Sequence, residues 1–545
     1  MKVAYFCMEF ALKPSIPNYA GGLGVLATDL IRSCADLNKP VVGVTLMYHL
    51  SEEPDRAFLP GPEFKKREET IRLHIEDRHV TVGVWELTIT GENGGVVPIL
   101  FLDTNLPENK RWDRDITKNL YADDAYTRIC QEVILGIGGV RMLRRLGYDQ
   151  IETFHMNEGH AAFLTLELLK ENGYNDDAVR KKCVFTTHTP IPAGHDQFEY
   201  PLAERVLGNK LPWHIKTLAG DKMLNMTRLA LSLSKATNGV AKSHAAVCKR
   251  MFPDHEFLAI TNGIHQNTWV ADNMKQLFDR YLPGWAHNPK VFLDAEKIPG
   301  DALTKAHQEN KKKLIDYINS DPEHFPFDNT DLQPDDQFEE NVLTIAFARR
   351  FAPYKRALLL FRNLEKLREL GFHKIQLIFA GPYHQSNTYA TDTIQKLSHF
   401  GKELRGQIRL VVLPDYNIDS AKRLVQGADI WLNTPEPPLE ASGTSGMKAA
   451  LNGTLNLSIL DGWWIEGFKE QPRAGWAFGE TSATQSSMNR DDVDAEQLYQ
   501  QLKDVINCHS QHDHWVERMQ SALRLGATFN THRCIQEYEE KMWNL

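Results

Sequence analysis

The sequence predicts an α/β protein of two large domains, with a cleft between them as the place for chemistry. Three observations carry that expectation. At 545 residues the chain exceeds the size at which one hydrophobic core keeps growing. Its second half holds short apolar runs at 342–348, 375–380, 410–413 and 430–432, separated by helical patterns, the signature of parallel βαβ units. Its first half opens on a strand-like stretch and then a glycine-rich turn that enters a helix. We place the first domain at 1–268, the second at 269–525, and a C-terminal helix at 526–545 that packs back across the junction.

Composition narrows the function. With 42% hydrophobic and 24% charged residues the chain has the balance of a soluble globular protein, and no uninterrupted apolar run is long enough to span a bilayer. The start, Met1-Lys2-Val3-Ala4-Tyr5-Phe6-Cys7-Met8-Glu9, lacks the long apolar region and cleavage site of a secretory signal, so the expected location is the cytoplasm. Seven cysteines are scattered and never form a Cys-x-x-Cys pair, which predicts reduced thiols and no structural zinc. A net charge of −9 without a basic stripe argues against nucleic acid as the main partner and for a small or neutral one.

In the first half, Asn18-Tyr19-Ala20-Gly21-Gly22-Leu23-Gly24 leads into a helix with apolar spacing Leu23, Leu26, Leu30. Gly21 and Gly22 remove side chains that would block the approach of an anion to backbone N–H groups. The spacing is not the Gly-x-Gly-x-x-Gly of a dinucleotide site, and alone the motif serves packing as well as binding. A second buried strand follows at 41–47. The alternation over 71–90 predicts an antiparallel ribbon inserted in the parallel pattern, and 123–146 reads as a long helix. Two further strands end in polar residues, at His155, Asn157, Glu158 and His160, and at His188, where open α/β sheets bind ligands. His155 and His160 are five apart rather than four, so no metal site is expected. A last strand over 259–264 closes the domain with Asn262-Gly263 as turn chemistry.

In the second half, the strand at 342–348 runs into Arg349-Arg350-Phe351-Ala352-Pro353-Tyr354-Lys355-Arg356, a cationic cluster suited to phosphate. The strand-like 429–433 precedes Pro437-Pro438-Leu439-Glu440-Ala441-Ser442-Gly443-Thr444-Ser445-Gly446-Met447-Lys448, a loop of small residues entering a helix. Backbone N–H groups near Ser442 to Gly446 attract anions, Glu440 accepts from sugar hydroxyls, and Lys448 is an amine able to form a Schiff base with an aldehyde cofactor. The alternative for each is an ordinary loop and a solvated charge.

These motifs, in this order, resemble those of the α-glucan (glycogen, starch and maltodextrin) phosphorylases, in their short bacterial and archaeal branch. The likeness runs through Gly21-Gly22-Leu23-Gly24, Asn157-Glu158-Gly159-His160, Thr187-His188-Thr189, Thr261-Asn262-Gly263-Ile264, the Arg349 to Arg356 cluster and the Glu440 to Gly453 segment. The resemblance implies two Rossmann-like domains facing across a deep cleft, the GT-B type fold, and pyridoxal 5′-phosphate as cofactor. It matches Lys448 to the cofactor lysine, Glu440, Ser442 and Gly443 to positions that hold glucosyl hydroxyls, and Thr444 with Ser445 to phosphate contacts. Gly21, Gly22, Thr444, Ser445 and Tyr416 stand among the cofactor-binding positions. Arg350 and Lys355, with Arg349 beside them, match cations that grip phosphates, His188 a histidine whose backbone meets the sugar, and Asn262 a sugar-binding asparagine. The implied partners are α-1,4-glucan, inorganic phosphate and glucose 1-phosphate, without metal, and with homo-oligomerisation left open.

The chain also departs from its long relatives, with Ser445 where they have glycine, Gly446 where they have asparagine, Arg349 where they have lysine and Ala20 where they have asparagine. Phosphorolysis fits the pattern, since cleavage with retention develops positive charge at the sugar carbon that an adjacent phosphate stabilises. No carboxylate pair is placed as in a hydrolase. The competing expectation is a nucleotide-sugar-dependent glucan synthase of the glycogen or starch synthase kind, which shares the Gly-Gly-Leu-Gly loop and a Glu-x-x-Gly pattern. Lys448 in its Gly-Met-Lys context favours the phosphorylase. A catalytically silent glucan-binding protein is disfavoured by candidate residues at every motif.

Overall fold

The computed structural model describes residues 1–49, 58–327, 331–382, 387–414, 416–479 and 490–545. The chain forms two units, Met1–Thr261 with Thr531–Leu545, and Asn262–Asn530. These divisions lie a few residues from the boundaries expected above, for a local reason. A side chain on Gly263 would sit 2.3 Å from the backbone of Asn530, and Ile264 N–H donates to Phe529 O at 3.2 Å. Residues just after 261 and just before 531 therefore pack on each other inside the second unit.

The first unit is built on a ten-stranded sheet. Its strands are β1 (Val3–Phe6), β2 (Val41–Leu46), β3 (Lys65–Lys66), β4 (Ile71–Ile75), β5 (Arg78–Thr90), β6 (Val96–Asp103), β7 (Thr153–Asn157) and β8 (Cys183–Thr186); after a separate small pair, β9 (Gln197–Phe198) with β10 (Leu224–Asn225), come β11 (Ala236–Gly239) and β12 (Leu258–Ala259). The order is β12-β11-β8-β7-β1-β2-β6-β5-β3, with β4 paired to β5. From β12 to β6 every pairing is parallel, while β3 and β4 run antiparallel to β5, and β5 to β6. The chemistry of the strands follows from that division. β1, β2 and β8 are buried along their whole length, as strands covered on both faces must be, and are continuously apolar or small. β4 alternates, with Leu73 and Ile75 buried and Arg72 and His74 exposed, because one face of the ribbon meets solvent.

Taken in chain order, the parallel strands β1, β2, β6, β7, β8 and β11 lie in the order 3-2-1-4-5-6, that of a doubly wound Rossmann sheet. The second unit repeats it. Its strands β13 (Leu343–Ala348), β14 (Ile375–Ala380), β15 (Arg409–Leu413), β16 (Ile430–Asn433), β17 (Leu455–Ile459) and β18 (Gly475–Phe478) are all parallel, in the order β15-β14-β13-β16-β17-β18. Two Rossmann-like units in one chain are the composition of the GT-B type. In each, the winding reverses between the first and fourth parallel strands, β1 and β7 or β13 and β16, which opens a crevice at their carboxyl ends where ligands bind. The glycine turn, Glu158, Arg349 to Lys355 and Glu440 all follow one of those four strands.

The C-terminal segment completes the first unit. Thr531 Oγ1 bonds Ser33 Oγ at 2.6 Å, His532 Nε2 meets Asp36 Oδ2 at 3.0 Å, and Trp543 Nε1–H donates to His155 Nδ1 at 3.0 Å. Among the described residues no helix is long and apolar enough to cross a membrane.

One buried carboxylate ties the second unit together. Asp429, just before β16, accepts from Lys311 Nζ at 2.6 Å and from Thr344 N–H at 2.7 Å, and lies 3.2 Å from His307 Nε2. This fastens the helix Gly300–Asn319 to the central strands. Burial alone would raise the Asp429 pKa, but Lys311 and His307 hold it well below the ordinary carboxylate range. Its stabilisation is therefore present above the unfolded carboxylate pKa of about 4 and is lost only as pH falls through the depressed folded value. Asp429→Ala strands the buried Lys311 ammonium and is expected to destabilise the second unit by about 3–5 kcal/mol; denaturant unfolding at pH 7 measures it, and an unchanged midpoint would contradict it.

Candidate active site

The carboxyl edge of the second sheet carries the densest charge. Arg349 leaves β13 with its side chain buried, and its Nη2 donates to Glu440 Oε2 at 2.6 Å. Lys355, on the short turn Pro353–Lys355, brings Nζ to the same oxygen at 2.5 Å and lies 4.5 Å from the centroid of the Tyr354 ring. Arg350, the next residue, is exposed and bonds the Tyr354 phenol. Burial and the neighbouring Arg349 lower the Lys355 pKa to about 7, against the pull of Glu440. Burial would raise Glu440, but Arg349 and Lys355 hold it down to about 2, so it is a carboxylate at every physiological pH. Arg349 Nη1 is buried without a hydrogen-bond partner among the described residues.

Arg356, part of the same run in sequence, does not join them. Its left-handed backbone, φ +49°, turns its side chain onto Thr434 O at 3.0 Å, Pro435 O at 2.9 Å and Asp494 at 2.8 Å. It fastens the loop after β13 to the loop after β16. It contributes no charge to the Glu440 cluster.

The loop from Glu440 enters the helix Ser445–Ala450. Gly443 adopts φ +74°, which a side chain would strain, and a Cβ on Gly446 would stand 2.3 Å from Asn456 Oδ1 and 2.9 Å from the Trp463 ring. These two glycines let the loop lie flat against β17 and Trp463. Ser445 Oγ accepts from Trp431 Nε1–H at 3.0 Å, which leaves its own hydroxyl hydrogen to donate. Thr444 makes no side-chain cap of the helix. Lys448 is buried, with Nζ 3.8 Å from the centroid of the Trp269 ring. Asn452 fixes both partners, donating from Nδ2 to Lys448 O at 2.9 Å and to Trp269 O at 3.0 Å, and accepting from Ala271 N–H at 2.9 Å.

In the first unit, the glycine turn is shaped by an acid at the end of β1. Glu9 is buried, and its Oε2 accepts from Ala20 N–H at 2.9 Å and Gly21 N–H at 3.3 Å, while Oε1 accepts from the Tyr121 hydroxyl. The Gly21 amide expected to await an anion is thus already bonded to one. Among the described residues a Cβ on Gly21 or Gly22 would meet nothing within 4 Å, and neither has a positive φ. Among the described residues, neither packing nor backbone strain accounts for glycine there. After β7, Glu158 collects the backbone N–H of His188, the hydroxyls of Thr187 and Thr189 at 3.2 and 3.0 Å, and Gly159 N–H at 3.2 Å. His188 Nε2 lies 2.6 Å from Asn157 Oδ1, and burial, with His244, His155 and His160 nearby, lowers its pKa to about 3, so the ring is neutral. His155 spends both ring nitrogens on Thr186 and Trp543.

Of the residues singled out from sequence, contact thus joins Arg349, Lys355 and Glu440, and stacks Ser442 and Gly443 beside the Gly462-Trp463 turn, where Trp463 N–H donates to Ser442 O at 2.9 Å. Arg350 stands at the rim of that cluster. Tyr416 is half-buried beyond the end of β15 on the same sheet edge, and Asn262 is buried at the start of the second unit. Sequence reasoning missed Glu9, Trp269, Asn452 and Asp461. Glu9 and Asp461 do carry a signal, an acid directly beyond an apolar strand and near a glycine turn.

Residues 208–509 match the family model of carbohydrate phosphorylases, and residues 2–256 match that of the starch synthase catalytic domain. The maltodextrin phosphorylase of Thermococcus litoralis is 34% identical over 99% of this chain and 70% of its own length. The glycogen phosphorylase of Aquifex aeolicus is 32% identical over 99% of this chain and 86% of its own. That of Mycobacterium tuberculosis is 33% identical over 99% and 70%.

The open space over the glycine turn makes a prediction about the turn itself. Gly21→Ala and Gly22→Ala should leave stability within about 0.5 kcal/mol, as for surface substitutions that neither strain nor clash. Any loss should appear in ligand binding alone. Paired thermal unfolding and ligand titration test this, and a large stability loss in either variant would contradict it.

Proposed function

The chain belongs to the carbohydrate phosphorylase family, and on that premise we propose that it cleaves α-1,4-glucans with inorganic phosphate, releasing glucose 1-phosphate with retention, and binds pyridoxal 5′-phosphate at Lys448. One observation carries the proposal: two buried cations, Arg349 and Lys355, meet the carboxylate Glu440 with Arg350 exposed at the rim, and one guanidinium nitrogen of Arg349 is buried and unpartnered among the described residues. A site with that surplus is built for an anion.

The residues fit the cofactor. Lys448 offers a buried amine on an aromatic face, Thr444 and Ser445 open the adjoining helix without a side-chain cap, and one Arg349 nitrogen lacks a partner among the described residues. When bound, pyridoxal phosphate supplies a second phosphate that exchanges a proton with the substrate phosphate. The chain's own part is to position and to neutralise. Arg350 and Lys355 hold the phosphates against mutual repulsion, with Arg349 adding a buried charge. Glu440, Ser442 and Gly443 hold the sugar hydroxyls, and Asn262 and the His188 backbone complete the sugar contacts. Gly21 and Gly22 leave room above their turn for the phosphates, with Tyr416 among the cofactor contacts. A hydrolytic acid–base pair is not supported. Glu440 is held ionised by two cations, and Asp461, whose pKa burial and the neighbouring Glu440 raise to about 7, spends both oxygens on backbone N–H groups rather than facing a ligand.

The starch synthase match over residues 2–256 favours a second reading, transfer from a nucleotide sugar. The phosphorylase match covers Arg349 through Lys448, where the two chemistries differ, and so supports phosphorolysis.

Given an α-1,4-glucan and phosphate, the purified protein should release glucose 1-phosphate, and borohydride reduction followed by peptide mapping should find pyridoxal phosphate on Lys448. Transfer from ADP-glucose or UDP-glucose without phosphorolysis would establish the second reading instead.

Lys355 gives a pH dependence. With its pKa lowered to about 7, the ammonium is present below that value and lost above it, so kcat/KM for phosphate should fall as pH rises through neutrality. Lys355→Arg should remove that basic limb. Arg350→Ala and Lys355→Ala should each lower activity by on the order of a hundredfold, the effect of one lost charge-assisted bond at a preorganised site. Steady-state kinetics across pH 5.5–8.5 decide, and wild-type phosphorolysis in both alanine variants would remove the cluster from the site.

A further inference from the structure

The loop that carries Glu440 is shaped by a turn it never meets in sequence. Asp461 and Gly462 follow β17, and both oxygens of the buried Asp461 carboxylate point at backbone: Oδ2 accepts from Glu440 N–H at 2.9 Å, and Oδ1 from Gly462 N–H at 2.8 Å. Gly462 has φ +55°, and a Cβ there would stand 2.3 Å from Ser442 O and 3.1 Å from Glu440 Cγ, so only glycine lets the two loops close on each other. Trp463 N–H then donates to Ser442 O at 2.9 Å, and its ring lies 3.7 Å from where a Cβ on Gly443 would be. Glu440 is thus gripped twice: its backbone by Asp461, and its carboxylate by Arg349 and Lys355.

We propose that Asp461 is the positioning residue of the sugar site: by holding the Glu440 amide and its own turn, it fixes the height at which Glu440, Ser442 and Gly443 meet the glucosyl ring. This rests on the phosphorylase reading for the identity of the ligand, and on the geometry alone for the coupling of the loops. Asp461 touches no reacting atom. Its removal leaves Arg349 and Lys355 in place but frees the backbone from which the Glu440 side chain springs. A contact with sugar hydroxyls that do not react is made in ground and transition states alike, so its loss shows in KM more than in kcat.

Asp461→Asn keeps the shape but turns one acceptor into a donor facing an N–H group. The KM for glucose 1-phosphate should rise by about tenfold or more, with kcat falling less than about threefold. In hydrogen exchange of the holoenzyme, the Glu440 amide should lose about tenfold or more of its protection. Asp461→Glu, which keeps the carboxyl group and its two oxygens, should recover part of both losses. An unchanged KM, a loss confined to kcat, or wild-type protection of the Glu440 amide overturns the inference. If the asparagine variant does not fold, the glutamate variant decides: a KM at least about threefold above wild type supports the proposal and a wild-type KM overturns it. Absence of phosphorolysis in the wild type would overturn the proposed function instead, and the exchange measurement would still decide whether Asp461 holds the loop.

Discussion

The site loops depend on buried carboxylates that accept backbone N–H groups. An open α/β sheet delivers its ligand residues on loops beyond the strand ends, and each such loop carries amide donors with no ladder to join. A buried donor left unsatisfied costs about 1–3 kcal/mol, so the loop must either stay wet or find an acceptor. In this chain the acceptor is repeatedly an acid just beyond a strand end, serving its own loop or the next: Glu9 for Ala20 and Gly21, Glu158 for Gly159 and His188, Asp461 for Glu440 and Gly462. Asp429 does the same for Thr344 at the opposite end of β13. Each carboxylate converts a mobile connection into a fixed surface. The cations that remain, Arg349 and Lys355, then face an ordered Glu440.

The fold was largely legible because parallel strands covered on both faces must be apolar throughout, and the runs at 342–348, 375–380 and 430–432 say so directly. The ribbon of β4 and β5 was legible for the opposite reason, its alternation marking one wet face. Side-chain direction was harder. Arg349 and Arg350 are adjacent and chemically identical, yet one is buried in the Glu440 cluster and the other is exposed at its rim. Arg356 belongs to the same cationic run, but a left-handed backbone turns it onto the carbonyls of Thr434 and Pro435. Asp461 followed by glycine reads as turn chemistry, and nothing local reveals that its partner is Glu440, 21 positions earlier. Trp269 under Lys448 is hidden in the same way, since the two are distant in sequence and meet only in the fold, with Asn452 bonded to both backbones.

The match of the two halves to different family models has a physical meaning. Both units wind their strands in the same order, and that order specifies where a ligand sits without specifying which reaction follows. The first half supplies an open glycine turn and a neutral His188, features any glucosyl transfer could use. The second half supplies the cations Arg349 and Lys355 and the buried amine of Lys448, to which the proposed function gives phosphate and an aldehyde cofactor. The chemistry is decided where the charges are.

The first unit is interrupted: residues 262–530 lie between its two parts, and the last segment contributes Thr531, His532 and Trp543 to Ser33, Asp36 and His155. During synthesis on the ribosome, the second unit is complete in sequence once residue 530 has emerged, whereas the first, begun earlier, still waits for its final helix. Until then His155 on its sheet and Asp36 on its first helix lack these partners. The unit begun first is the last whose sequence is complete.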